Sequence, residues 1–192
     1  SLSLNSGTIS DNITGSPNNA TLTLSSPGAS GSLGTNKAIV IDTTAPTVDN
    51  VSSSTADGNN YIDDNITITV SFSENVIVDN SSGNPRIQLE SGSTDQYATY
   101  ISGSSTNVLS FLYTVQAEDN SYDLDYKATD SLSVNGGTIR DSVSHDATLT
   151  LASPGTANSL SANKTLAING WRQQAYIKAV NVDAEDRFGG SV

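Results

Sequence analysis

Sixteen of the chain's 20 acidic residues are aspartate, and several stand close enough to act together: Asp57 with Asp63 and Asp64, then Asp119 with Asp123 and Asp125. Aspartate in Asn-, Ser- and Gly-rich turns suits a hard divalent cation such as calcium, which takes about six to eight oxygens from carboxylates, carbonyls and water. An acidic helix face would be built mostly from glutamate. The same residues also make ordinary turns, Asp-Gly and Asp-Asn among them, so solvated turn aspartates are the competing reading. Other chemistry is sparse. Cysteine is absent, which removes thiolate ligands, thiol nucleophiles and disulfides. The single histidine, His145, sits beside Asp146 in a turn and reads as a surface residue rather than a base. No nucleophile motif stands between a strand and a helix, so the chain is not read as an enzyme.

The charge balance narrows the partners. Eight Lys and Arg against 20 Asp and Glu give a net charge of −12. A chain this negative is repelled by phosphate, and no basic stripe with interleaved aromatics offsets it, so nucleic acid is excluded. No apolar run approaches the roughly 20 residues that span a bilayer, so direct membrane insertion is not expected.

The elements that must position the aspartates read as strands. Ile66, Ile68, Val70 and Phe72 alternate with polar residues, as do Leu109, Phe111, Tyr113 and Val115. A period of two puts each set on one face of a strand, and their aromatics read as core. Shorter strands are expected at residues 76–78, 87–89 and 97–101, the first of them taken as part of a loop when strand reversals are counted, and Gly, Asn, Ser and Pro mark the turns between them. Helices are nowhere supported. The expectation is an all-β chain: an immunoglobulin-like Greek-key β-sandwich of about seven to eight strands.

The sequence also repeats itself. SLSLNSGTISD (1–11) matches SLSVNGGTIRD (131–141) at 8 of 11 positions, and residues 20–41 match residues 147–168 at 13 of 22. The offset falls from 130 to 127 because the turn at 12–19 is three residues longer than its partner at 142–146. A period of this size marks a tandem module. Residues 1–42 then read as the C-terminal part of a preceding repeat, 43–169 as a complete repeat, and 170–192 as the start of another domain. The alternating Leu and Ile residues of 1–41 cannot bury a face alone, so that part is expected to be disordered, to dock on a sheet edge, or to pair with another molecule.

Counting strand reversals places the loops. If the strand at Val48 starts at one pole, residues 52–64 and 116–123 fall at the opposite pole, where the last strand also ends. Asp57, Asp63, Asp64, Asp119, Asp123 and Asp125 are therefore expected to converge beside Asn169, the position that Asp42 occupies in the earlier copy. Asp123 and Asp125, two apart, are expected to point to the same side of a strand.

Carried by the stretches IDTTAPTV, ITITVSFSENV, FLYTVQAEDNSYDLDY and SLSVNGGTI, most of the region 1–169 resembles the tandem immunoglobulin-like or cadherin-like repeats of large bacterial surface proteins and adhesins. The last stretch, AYIKAVNVDAEDRFGGSV, resembles the opening of an integrin-type FG-GAP repeat, with Phe188 and Gly189 at the FG position. Both resemblances imply an elongated, extracellular or cell-surface, calcium-associated protein whose partners are its neighbouring modules and a host or matrix glycan or protein. The cadherin arrangement implies calcium shared at module poles by an early-loop acid, an acid-x-acid pair and an Asp-rich linker, with Asp42 as the linker acid. This chain departs from it, since the linker has one Asp and the complete copy has Asn169 there. The function implied is a structural or adhesive spacer rigidified by calcium. The alternative is a carbohydrate- or protein-binding module using residues 80–85 and 102–107 or Tyr97, Tyr100 and Tyr122.

Overall fold

The structure is a computed structural model that describes residues 2–39 and 41–170. The resemblance to an FG-GAP repeat falls on residues outside this range. The chain divides into two compact units, Ser1–Thr43 and Thr44–Val192.

The second unit is an all-β sandwich. Its larger sheet runs β1 (Val48–Ser53), β3 (Asn65–Asp79), β6 (Thr106–Thr114), β5 (Gln96–Ser102), β4 (Arg86–Glu90) and β8 (Asp125–Tyr126). Two short strands extend it: β10 (Thr138–Arg140) pairs with β3, and β9 (Leu132–Ser133) pairs with β4. The smaller sheet is β2 (Gly58–Tyr61), β11 (Leu166–Asn169) and β7 (Asn120–Ser121), with β11 parallel to β2 and antiparallel to β7.

The two alternating stretches form the centre of the core. Ile66 faces Tyr113, Ile68 faces Phe111 and Val70 faces Leu109 across the β3–β6 ladder, and all six side chains are buried. Ile87 and Leu89 of β4, together with Leu124, Tyr126, Leu151, Leu160, Leu166 and Ile168, extend the core. Tyr100 stands edge-on to Phe111, ring centroids 6.0 Å apart.

Two expectations are corrected. Residues 76–78 are strand, as expected, but neither a separate short strand nor part of a loop in the reversal count: they are the end of β3, which continues past an irregularity between Ser71 and Val76 to pair with β10. Val76 is fully buried there, so the chain gains a core residue by continuing the strand. Helices do occur, as single turns: α1 (Leu33–Asn36) in the first unit and α2 (Leu160–Asn163) in the second. Each begins on a serine, Ser32 or Ser159, whose hydroxyl accepts from the N–H of Thr35 or Ala162, an N-cap that satisfies one otherwise orphaned donor.

Within the first unit the chain repeats the local structure of its sequence counterpart in the second. The N–H of Gly7 bonds the carbonyl of Leu4 as Gly137 bonds Val134, Ala20 bonds Ile9 as Ala147 bonds Ile139, and Lys37 bonds Leu33 as Lys164 bonds Leu160. Gly28 and Gly155 occupy the same left-handed turn, φ 82° and 75°, a conformation that favours glycine.

Candidate functional site

Among the six aspartates of the second unit expected to converge, Asp63, Asp64 and Asp119 lie at the Asn169 end of the small sheet. Asn169 is in register with Tyr61 and with Asn120. The Asp63 N–H donates to the Val115 carbonyl, the Val115 N–H to the Asp64 carbonyl, and the Gly170 N–H to the Asp119 carbonyl at 2.6 Å. Asp63 and Asp64 are exposed. One Asp64 carboxylate oxygen accepts from the Tyr61 N–H at 2.7 Å, and Asp63 takes a left-handed φ of 71°.

Asp57 and Asp123 lie three residues back along β11, about 10 Å at a strand's rise, flanking Leu166. Asp57 forms an ion pair with Lys164 at 2.8 Å and accepts from the Thr165 N–H; the lysine ammonium beside it and that N–H hold its carboxyl below the ordinary value. Asp123 is exposed and accepts from the Leu166 N–H at 3.4 Å. Asp125 is buried in β8 next to α2, so it is not on a common face with Asp123. Asp42 belongs to the first unit.

Two of these carboxylates are enclosed by donors. Asp119 accepts from the Tyr113 hydroxyl at 2.5 Å, the Gln116 N–H at 2.7 Å and the Gln96 amide at 3.3 Å. Asp125 accepts from the Tyr126 N–H at 2.8 Å, the Gly155 N–H at 2.9 Å and the Ser161 hydroxyl at 2.6 Å. Burial and the neighbouring carboxylate push both phenols up, Tyr126 to about 12. Carboxylates held this way pin loops to the sandwich: Asp119 ties 116–119 to β6, and Asp125 ties the 155–161 segment to β8.

Two oxygens on one calcium ion lie at most about 4.8 Å apart, twice a bond of roughly 2.4 Å. Among the described residues no three of these six carboxylates come that close to one another, so as they stand they do not form one shared cage.

The proposed ligand loops are also tied down. Gly83 sits so close to residues 135–136 that a Cβ there would fall 1.8 Å from the Asn135 carbonyl, and the Asn135 amide donates to the Asn84 carbonyl. The Tyr100 hydroxyl accepts from the Ser104 N–H, and the Arg86 guanidinium covers the Tyr97 ring at 4.1 Å. Tyr122 alone among these tyrosines stands clear, 92% exposed.

Sequence reasoning passed over a repeated turn. Buried Asp141 accepts from the N–H groups of Val143 and His145 and meets the His145 ring Nδ1 at 2.7 Å. Burial pushes the Asp141 carboxyl up, but these donors outweigh it and hold it below the ordinary value. In the first unit Asp11 accepts from Ile13, and from the Asn18 N–H and amide at 2.9 and 2.8 Å. The signal was available, since Asp11 and Asp141 close the two copies of the repeated block. Histidine and asparagine are interchangeable there because each offers one ring or amide donor to the carboxylate.

Comparison with family models, curated proteins and solved structures finds no match to this chain.

Proposed function

We propose that this chain is a structural spacer: a β-sandwich module and a second, partial copy of it, from a long secreted or cell-surface protein, with no catalytic role. The observation that carries this reading is the recurrence of one turn, cap and strand pattern at an offset of 127 to 130 residues, in sequence and in hydrogen bonding alike. A module that serves by being stacked needs a reproducible fold, not a unique cluster of reactive groups.

Calcium belongs to this reading only at the Asn169 end. Asp63 and Asp64, with main-chain carbonyls and water, offer exposed carboxylates there; Asp119 is buried, Asp57 is paired with Lys164 further back along β11, and Asp125 is bonded to Gly155 and Ser161. The test is a thermal melt in EDTA and across a calcium titration, with magnesium as control. A calcium-specific rise in Tm that disappears in the Asp63→Asn/Asp64→Asn double variant supports the calcium part, and a melt indifferent to calcium sinks it. Asparagine suits both positions, since it keeps an acceptor for Tyr61 and tolerates a left-handed φ.

One observation favours the alternative, a module that binds a glycan or protein. Tyr122 presents nearly its whole ring to solvent, a disposition suited to stacking on a sugar or filling a partner's pocket. Saturable retention on a glycan or protein array, lost in Tyr122→Ala, would replace the spacer reading.

A further inference from the structure

The two units carry the same apolar residues in opposite states. Leu132, Ile139, Leu151, Leu160, Leu166 and Ile168 are core residues of the second unit, none more than 3% exposed. Their counterparts Leu2, Ile9, Leu24, Leu33, Ile39 and Ile41 are between 49% and 85% exposed. Because local hydrogen bonding is the same in both, the difference lies in what covers them. In the second unit the cover is residues 44–130, the part of the repeat that has no counterpart in the first unit.

The first unit also keeps the polar fittings for such a cover. In the second unit Tyr126 donates to the Ala152 carbonyl at 2.6 Å, Val51 to the Asn158 carbonyl at 3.0 Å, and Asp125 accepts from Gly155. The counterparts of those three sites are Ser25, Gly31 and Gly28, and they line open grooves. One groove of about 390 Å³ runs past Leu2, Leu24 and Pro27, and another of about 340 Å³ runs past Leu24, Gly28 and Leu33. Asn163 bonds Asn50 and Val51, and Asn36 stands in its place. Lys164 pairs with Asp57, and Lys37, the single cation of the first unit, stands ready for a matching carboxylate. One fitting is lost: Ser161, which donates to Asp125, is Gly34 in the first unit.

We propose that this face of the first unit is a docking surface for an acidic β-polypeptide with the sequence character of residues 44–130. That polypeptide would place an Asp-Tyr pair against the Pro27–Gly28 turn, an acid on Lys37 and an alternating apolar strand set on the leucines, and so complete a second sandwich. The inference does not depend on the calcium reading, and it rests on the reading of the first unit as a partial copy of the module.

The test adds residues 44–130 directly ahead of Ser1 in the full chain, which reproduces the connection that Asp130 makes to Ser131. Hydrogen exchange is followed at the amides of Ala20 and Lys37, with Ala147 and Lys164 as internal references. Protection of Ala20 and Lys37 is expected to rise at least about tenfold, toward that of the references. Leu33→Asp should cancel the rise in the extended chain. Exchange as fast in the extended chain as in the original overturns the proposal. So does protection insensitive to Leu33→Asp. Sedimentation of the original chain provides a further arm: self-association that already protects these amides would make the occupant a second copy of the same face and overturn it as well.

Discussion

Asp119 is the single side chain on which the 116–119 turn depends. It accepts three hydrogen bonds while almost wholly buried. Tyr113→Phe removes one donor and is expected to cost about 1 to 3 kcal/mol, read as a lower urea midpoint with unchanged slope, because a buried acceptor loses its partner. Asp125→Asn should destabilise by a similar amount in the presence and absence of calcium, since it weakens the bonds from Gly155 and Ser161 whatever ion is present. The pH limits follow from the same groups. Asp57 and Asp141 have carboxyls held below the ordinary value. Their stabilisation is therefore present above about pH 4, where the unfolded carboxyls ionise, and is lost as pH falls through the lowered folded values. Tyr113 and Tyr126 are raised instead, so their contribution is intact below about pH 10 and declines as pH climbs toward 12. Melts across both limbs should show the two losses, and absorbance titration should find Tyr113 and Tyr126 ionising late.

At the scale of elements, the one-turn helices show how little local sequence is needed when packing does the rest. Leu160 of α2 is fully buried and its N-cap Ser159 is buried too, so Leu160→Ala is expected to cost about 2 to 5 kcal/mol by leaving a cavity. Ser159→Ala should cost about 0.5 to 2 kcal/mol through the lost cap. The matching changes at Leu33 and Ser32 should move global stability far less, because Leu33 is exposed; paired denaturation curves check this. The long strands were readable because four apolar residues in strict alternation admit one face and one period, as at Ile66 to Phe72. The helices were not, since four residues have no period to detect and the signal is a lone serine cap. The continuation of β3 through residue 79 was hidden by the irregularity after Ser71, which breaks the alternation just where the strand bends to meet β10. Reversal counting correctly brought residues 63–64, 119 and 169 to one end, but it could not separate Asp57 and Asp123 from them. That requires knowing that β2 and β11 run side by side, a pairing between residues 58–61 and 166–169 that no local pattern encodes.

For the molecule as a whole, the two units set the same backbone bonds in different surroundings. Amides such as Lys37 and Lys164 have N–H···O bonds of equal length, 2.9 Å, yet opening a bond near exposed leucines disturbs no packed core, whereas Lys164 follows a fully buried leucine. Exchange at Lys37 is therefore expected to be faster than at Lys164 under native conditions. The parallel pairing of β2 and β11 has a mechanical consequence. Tension applied between the N-terminal end of β2 and the C-terminal end of β11 drags β11 toward its own C-terminus and β2 toward its N-terminus. The strands are thus pulled lengthwise past each other, and the bonds of this ladder share the load instead of opening in turn from one end like a zipper.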